Sequence, residues 1–159
     1  MDAVNYVLDE GYVDENQLYI TGGSGGGVLT AWSIGMTNRF RAAVVAKPVI
    51  NWYSFTLTAD AYPFFAKYWF TEMPWDDPMQ YMGRSPISLV GNVTTPTMVL
   101  VGSEDHRTPN SERVLPGIEA AGCRRLAGQD YRGLTWYSRP PNLIRKVVFI
   151  TGWFEKYGE

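Results

Sequence analysis

The chain of 159 residues contains one cysteine, Cys123, and one histidine, His106. A single thiol cannot close an intrachain disulfide or supply the sulfur cluster of a structural zinc site. No apolar run is long enough to span a bilayer. The residues after Met1 are polar and helix-like, unlike a secretion signal. An excess of charge of one sign is also lacking: 14 Lys and Arg stand against 16 Asp and Glu, a net charge of −2. Such a chain has no electrostatic reason to bind nucleic acid or an anionic membrane surface. These absences leave a globular domain with 45% hydrophobic residues, enough for a core of its own. The compartment stays open, with the cytoplasm favoured.

What is present alternates between strand and helix patterns. Residues 2–10 (DAVNYVLDE) place apolar side chains at 3, 4, 7 and 8, a helical spacing that Gly11 ends. "LYIT" (18–21) reads as a short buried strand. "VLTAWSIGMT" (28–37) reads as a helix packed through Val28, Ala31, Trp32 and Ile34. "AAVVAKP" (42–48) is a second strand, closed by Pro48. Residues 98–101 form a third, apolar throughout, as parallel strands buried on both faces are. Residues 142–158 read as an amphipathic helix with Leu143, Val147, Ile150 and Phe154 on one face. The order predicts an α/β fold with a parallel sheet flanked by helices.

Between the first strand and its helix stands Gly22-Gly23-Ser24-Gly25-Gly26-Gly27. Gly-x-Ser-x-Gly at a strand-to-helix turn is the pattern of a nucleophile elbow. The turn is sharp, so positions 22 and 26 are expected to need glycine, with Gly23 beside them. The hydroxyl of Ser24 would stand above the sheet at a helix N-terminus, with the Gly25 N–H as an oxyanion donor. A phosphate loop is the competing reading. No lysine follows the glycines, and no acidic residue closes a later strand at the dinucleotide spacing.

An acid follows the third strand: after Gly102 comes Asp105, in the Ser-then-Asp order of α/β-hydrolases. An exposed turn carboxylate is the plainer alternative. His106 adjoins Asp105 and points elsewhere from it, so it reads as a structural or rim residue and not as the base between Asp105 and Ser24. No other histidine exists. Trp52, Tyr53, Phe55 and Tyr62, in the ring-rich segment 52–75, either line a substrate pocket or pack a cap against the sheet. Arg41 and Arg107 either hold a peptide carboxylate or lie solvated on the surface.

The stretches "YVDENQLYITGGSGGGVLTAWSIGMTNRFRAAVVAKPVINWYSF", "YPFFAKYWF", "RSPISLVGNVTTPTMVLVGSEDHRTP" and "RPPNLIRKVVFITGWFEKY" resemble the catalytic domain of the prolyl oligopeptidase family, its acylaminoacyl-peptidase-like branch best. The resemblance implies a serine peptidase on an α/β-hydrolase domain, with Ser24 as nucleophile and Asp105 as triad acid. It implies a peptide substrate and neither metal nor organic cofactor. On this reading residues 1–159 are the C-terminal portion of the hydrolase domain. The N-terminal strands, a second oxyanion donor and a β-propeller belong upstream, and Met1 is an internal methionine.

The family's histidine precedes "RPPN" in a Ser-His-Gly context; here that place reads "RGLTWYSRPPN". Residues 113–137 depart from the family while both flanks resemble it, which points to two compensating frameshifts. Shifted by one base, the codons of Thr135 and Trp136 permit histidine, and those of Trp136 and Tyr137 force glycine. The shifted stretch then supplies a helix, a strand and the histidine loop. The printed residues 113–137 are accordingly expected to have no native packing role. Two other readings stand beside the peptidase: an esterase on the same scaffold, and an inactive fragment.

Overall fold

The computed structural model describes residues 1–102, 105–108, 125–127 and 140–158. Among these, four strands form one parallel sheet: β1 (Tyr19–Gly23), β2 (Ala42–Ala46), β3 (Thr97–Leu100) and β4 (Arg125–Ala127), paired in that order. The helices are α1 (Asp2–Asp9), α2 (Gly25–Met36), α3 (Trp52–Thr58), α4 (Tyr62–Tyr68), α5 (Pro78–Met82) and α6 (Pro140–Lys156). The architecture is the parallel sheet flanked by helices that the sequence predicts.

β2 explains the layering. All five of its residues are at most 1% exposed. Successive side chains of a strand point to opposite faces. Ala43 and Val45 therefore join Ala31 and Ile34 of α2 and Val99 of β3 on one face. Ala42, Val44 and Ala46 join Met98, Leu100 and Trp153 of α6 on the other. A run of small and β-branched residues can serve two cores at once, which is why it carries no polar alternation.

α2 departs from its predicted face. Gly27, Thr30, Ala31, Ile34 and Gly35 are buried, whereas Val28 and Trp32 are only half-buried. The buried stripe is made of small residues because the helix lies very close to its neighbours. A Cβ on Gly27 would stand 2.5 Å from the Ala46 carbonyl oxygen, and one on Gly35 would stand 2.6 Å from Leu89 Cβ. Leu89 belongs to the 3-10 segment Pro86–Asn92 that covers this helix.

α6 also differs. Ile150 and Phe154 pack as expected, alongside Phe149, Trp153 and Tyr157. Leu143 and Val147 are 49% and 59% exposed, so they are not on the packed face. The second half of the helix, past Val148, covers the sheet, and the apolar residues of its first two turns face outward.

The helix predicted at 2–10 forms over Asp2–Asp9 and buries no residue. Within 113–137, β4 pairs in parallel with β3 through Thr97↔Arg125, Met98↔Leu126 and Val99↔Ala127. This pairing uses main-chain groups, as a strand ladder does whatever the side chains are. The rest of 113–137, including Pro116, Cys123, Asp130 and Thr135, lies outside the described residues.

Candidate active site

The registers Gly23↔Ala46 and Ala46↔Leu100 set the ends of β1, β2 and β3 in one row. Whatever follows those residues emerges at the carboxyl edge of the sheet, where open α/β folds place their ligands. Ser24 follows β1, Lys47 follows β2 and Asp105 follows β3. With strands about 4.8 Å apart, β1 and β3 are separated by about 10 Å, with β2 between them.

Ser24 adopts φ 58 and ψ −120, a conformation that non-glycine residues rarely hold. Three contacts impose it. Its N–H donates to the Ala46 carbonyl at 3.0 Å, and its carbonyl accepts from Val28 N–H at 3.0 Å. Gly22 lies so close to the first turn of α2 that a Cβ there would stand 2.3 Å from the Gly26 oxygen. The expected need for glycine at 22 is thus met. Position 26 is different: a Cβ there would meet nothing within 4 Å. The second crowded glycine is Gly27, because α2 rests on the Ala46 carbonyl through that residue. Gly23 would bring its Cβ only to ordinary contact, 3.6 Å from Lys47 Cε. Gly25 opens α2 with free space around its Cα.

Asp105 is 5% exposed. Its Oδ1 accepts from the backbone N–H of Arg107 at 3.0 Å and of Thr108 at 2.9 Å. The turn is tied outward as well. Arg107 donates to Asp60 through Nε at 2.6 Å and Nη2 at 3.2 Å, and Asp60 N–H donates to the His106 carbonyl at 3.0 Å. The Arg107 guanidinium holds the Asp60 carboxyl below the usual aspartate range, and Asp60 raises Arg107 in turn. His106 is exposed, and its carbonyl takes part in this tie.

A cavity of about 770 Å³ opens at Ser24. Gly23, Ser24 and Gly25 form part of its wall, with Trp52, Phe55, Phe65 and Trp69 as the aromatic part and Lys47, Arg107 and Lys146 as the cationic part. Of the four rings predicted, Trp52 and Phe55 reach the cavity. They also belong to the buried aromatic cluster, at 5% and 3% exposure, so packing and lining are one role here. Tyr53 packs edge-on against Tyr81 instead, and Tyr62 is 48% exposed. Neither is among the residues lining the cavity. Phe65 and Trp69 were not singled out, although their i, i+4 spacing in "YPFFAKYWF" puts both on one helix face. Trp52 meets both rings, at 5.8 and 5.1 Å between centroids.

Lys47 was likewise not singled out. It is a half-buried non-glycine residue at φ 41, and its N–H donates to the Leu100 carbonyl at 2.6 Å. Burial pushes the Lys47 ammonium below the ordinary lysine range, Asp105 opposes that shift, and Lys146 adds to it. Arg41 is corrected: it precedes β2 at the opposite edge of the sheet, where Nε donates to the Tyr157 carbonyl. Among the described residues, no helix is long and apolar enough to cross a membrane.

Known proteins resemble this chain in sequence and in fold. The chain is 30% identical to an uncharacterized peptidase, YuxL, of Bacillus subtilis, over 98% of this chain and 25% of that protein. It is 31% identical to acylamino-acid-releasing enzyme 1 of Oryza sativa, over 99% of this chain and 22% of that enzyme. The structure of Pyrococcus horikoshii acylaminoacyl peptidase superposes with a TM-score of 0.90 at 20% identity, over 98% of this chain and 26% of that one. The chain thus spans about a quarter of the length of the curated relatives it matches. The pattern of the prolyl oligopeptidase family matches residues 1–115, and the chain belongs to that family.

Proposed function

We propose that this chain carries the nucleophile and the acid of a serine peptidase that cleaves peptide or acyl-peptide bonds through an acyl-enzyme. The observation that carries the reading is Ser24 held at φ 58 between β1 and α2, at a ring-lined cavity. In the reaction the Ser24 oxygen attacks the carbonyl carbon while a base takes its proton. Negative charge collects on the former carbonyl oxygen, towards Gly25 N–H and the N-terminus of α2. The base then protonates the leaving amine, and water releases the acyl group from Ser24. Asp105 orients the base. Its Oδ1 is already committed to two backbone donors, which fixes the carboxylate plane before any substrate arrives.

The base in this reading is the histidine that the shifted frame supplies at position 135. The family match ends at residue 115, close to the start of the atypical stretch, which supports that reading. β1 is bordered by β2 alone among the described residues, an edge that the proposed upstream strands would pair.

Sequencing the gene across 113–137, followed by labelling with a fluorophosphonate, tests the proposal. The frame-restored, upstream-extended protein is expected to label at Ser24 and to hydrolyse acyl-peptide amides, and Ser24→Ala is expected to abolish both. Hydrolysis of p-nitrophenyl esters with no amide cleavage would overturn the peptidase reading in favour of an esterase.

A second reading applies to the printed chain. Its one histidine is exposed on the Asp105 turn and engages Asp60 through its main chain. That chain is therefore an inactive form, expected to label at Ser24 far more slowly than the frame-restored protein. A triad lacking one member keeps only residual catalysis.

A further inference from the structure

The turn that carries Asp105 is held from two sides. On the inner side its own carboxylate gathers it: Asp105 Oδ1 accepts from the N–H groups of Arg107 and Thr108 at 3.0 and 2.9 Å. On the outer side it meets Asp60. The Asp60 N–H donates to the His106 carbonyl at 3.0 Å, and the Asp60 carboxylate accepts from Arg107 Nε at 2.6 Å and Nη2 at 3.2 Å. Arg107 therefore joins two carboxylates. Asp105 holds its main chain, and Asp60 holds its guanidinium.

The place of Asp60 in the fold gives this tie its meaning. Asp60 stands at the junction of α3 and α4. Trp52 and Phe55 lie on α3, Phe65 lies on α4 and Trp69 caps α4, and all four rings line the Ser24 cavity. The junction of the ring-bearing helices is thus also the abutment of the acid's turn. His106 and Arg107 are exposed, so the middle of that turn has no packing to fix it. A two-point fork between guanidinium and carboxylate removes the rotation that a single hydrogen bond leaves open. Asp60 is not among the residues lining the cavity, so it meets the turn and not the substrate.

We propose that Asp60 is a positioning residue for the acid: through Arg107 it fixes the 105–108 turn against the ring-bearing helices, and so fixes the plane in which the Asp105 carboxylate meets the base. The inference rests on the peptidase reading of Ser24 and Asp105 and adds a residue to it. Misplaced catalytic groups cost rate even when the substrate still binds, so the effect belongs in kcat and not in KM. Its size is bounded by the tie itself. Both side chains of the pair are about half exposed, so it can bias the turn by at most about fivefold.

The test is steady-state hydrolysis of an acyl-peptide amide by the frame-restored, upstream-extended protein and its Asp60 variants. Each kcat is taken per Ser24 titrated with a fluorophosphonate, so that a misfolded fraction does not count. Asp60→Ala is expected to lower kcat about fivefold, the bound set by the pair, with KM unchanged. Asp60→Glu restores a carboxylate at a half-exposed site and should recover most of the loss. Asp60→Asn, closest in shape, reads the lost charge alone and should fall between. The main-chain bond from Asp60 to the His106 carbonyl survives all three substitutions, which protects the fold. An unchanged kcat in Asp60→Ala, a loss confined to KM, or a loss as large in Asp60→Glu would overturn the inference while the peptidase reading stands. A parent that neither labels at Ser24 nor cleaves the amide would overturn both.

Discussion

The Cβ that Gly22 lacks would stand 2.3 Å from the carbonyl oxygen of Gly26. The obstacle is main chain and cannot rotate away. Gly22→Ala is therefore expected to destabilise the fold by about 3 kcal/mol, at the upper end of overpacking costs, and to displace Ser24. Gly26→Ala points into open space at the start of a helix, so a gain of about 0.5–1 kcal/mol is expected. Urea midpoints of the two variants check the contrast. Equal losses at both positions would mean that the elbow is not packed as described.

Asp105 allows a fold contact and a proposed catalytic role to be told apart. Asp105→Asn keeps an oxygen able to accept from Arg107 N–H and Thr108 N–H, so its stability should stay close to that of the parent. Asp105→Ala leaves those donors unmatched and should cost about 1–3 kcal/mol. In the frame-restored peptidase, Asp105→Asn should nonetheless lower kcat by about 10⁴, the effect of losing the triad acid in the general Ser-His-Asp case. Thermal melts and kcat measured on the same preparations separate the two effects.

Asp60 gives a pH signature. Its carboxyl is held below the usual range chiefly by the hydrogen bond from Arg107. A depressed folded-state pKa contributes stability above the unfolded value of about 3.9, and that contribution is lost as pH falls through the folded value. Both side chains are about half exposed, so solvent screening limits the pair to roughly 0.2–1 kcal/mol. Asp60→Asn should be less stable than the parent by that amount at neutral pH, and the gap should close in acid. Denaturant midpoints at several pH values measure it.

Tyr81 makes the opposite kind of case. It is fully buried, stacked on Phe70 at 3.9 Å, and its hydroxyl donates to the Glu72 carbonyl at 2.7 Å. Burial raises its pKa, so the folded state resists losing the proton. Stability from this group is present below the unfolded value of about 10 and is lost as pH rises above it. Tyr81→Phe should cost about 1 kcal/mol at neutral pH through the lost hydrogen bond and should remove this alkaline loss. Alkaline unfolding curves of parent and variant test it.

The rings divide by burial. Trp52→Ala empties the centre of the aromatic cluster and should cost about 3–5 kcal/mol. Tyr62→Ala, at an exposed ring away from the cavity, should fall within about 0.5 kcal/mol of the parent. Trp69→Ala should leave most of the stability intact and weaken peptide binding, since that half-exposed ring forms cavity wall. Chemical denaturation together with binding titrations separates the three.

The amino-acid sequence by itself determined the strands β1, β2 and β3, the glycine-flanked turn at Ser24 and the aspartate that follows β3. Each is a local pattern: an apolar run bounded by turn residues, a serine among glycines, an aspartate just past a strand. Backbone sterics and side-chain alternation act over a few residues, so those signals can be read from one dimension. The tertiary structure decided the rest. Gly27, and not Gly26, needed to be small because the Ala46 carbonyl, from another strand, presses on it. Leu143 and Val147 were left exposed because the side chains of this helix that pack on the sheet, Phe149, Ile150, Trp153 and Phe154, come from its second half. Lys47, Lys146 and the Phe65–Trp69 pair became one cavity wall although nothing in local sequence links the three. A cavity is made by elements far apart in the chain, and which side chains face it depends on register and helix rotation that only packing sets.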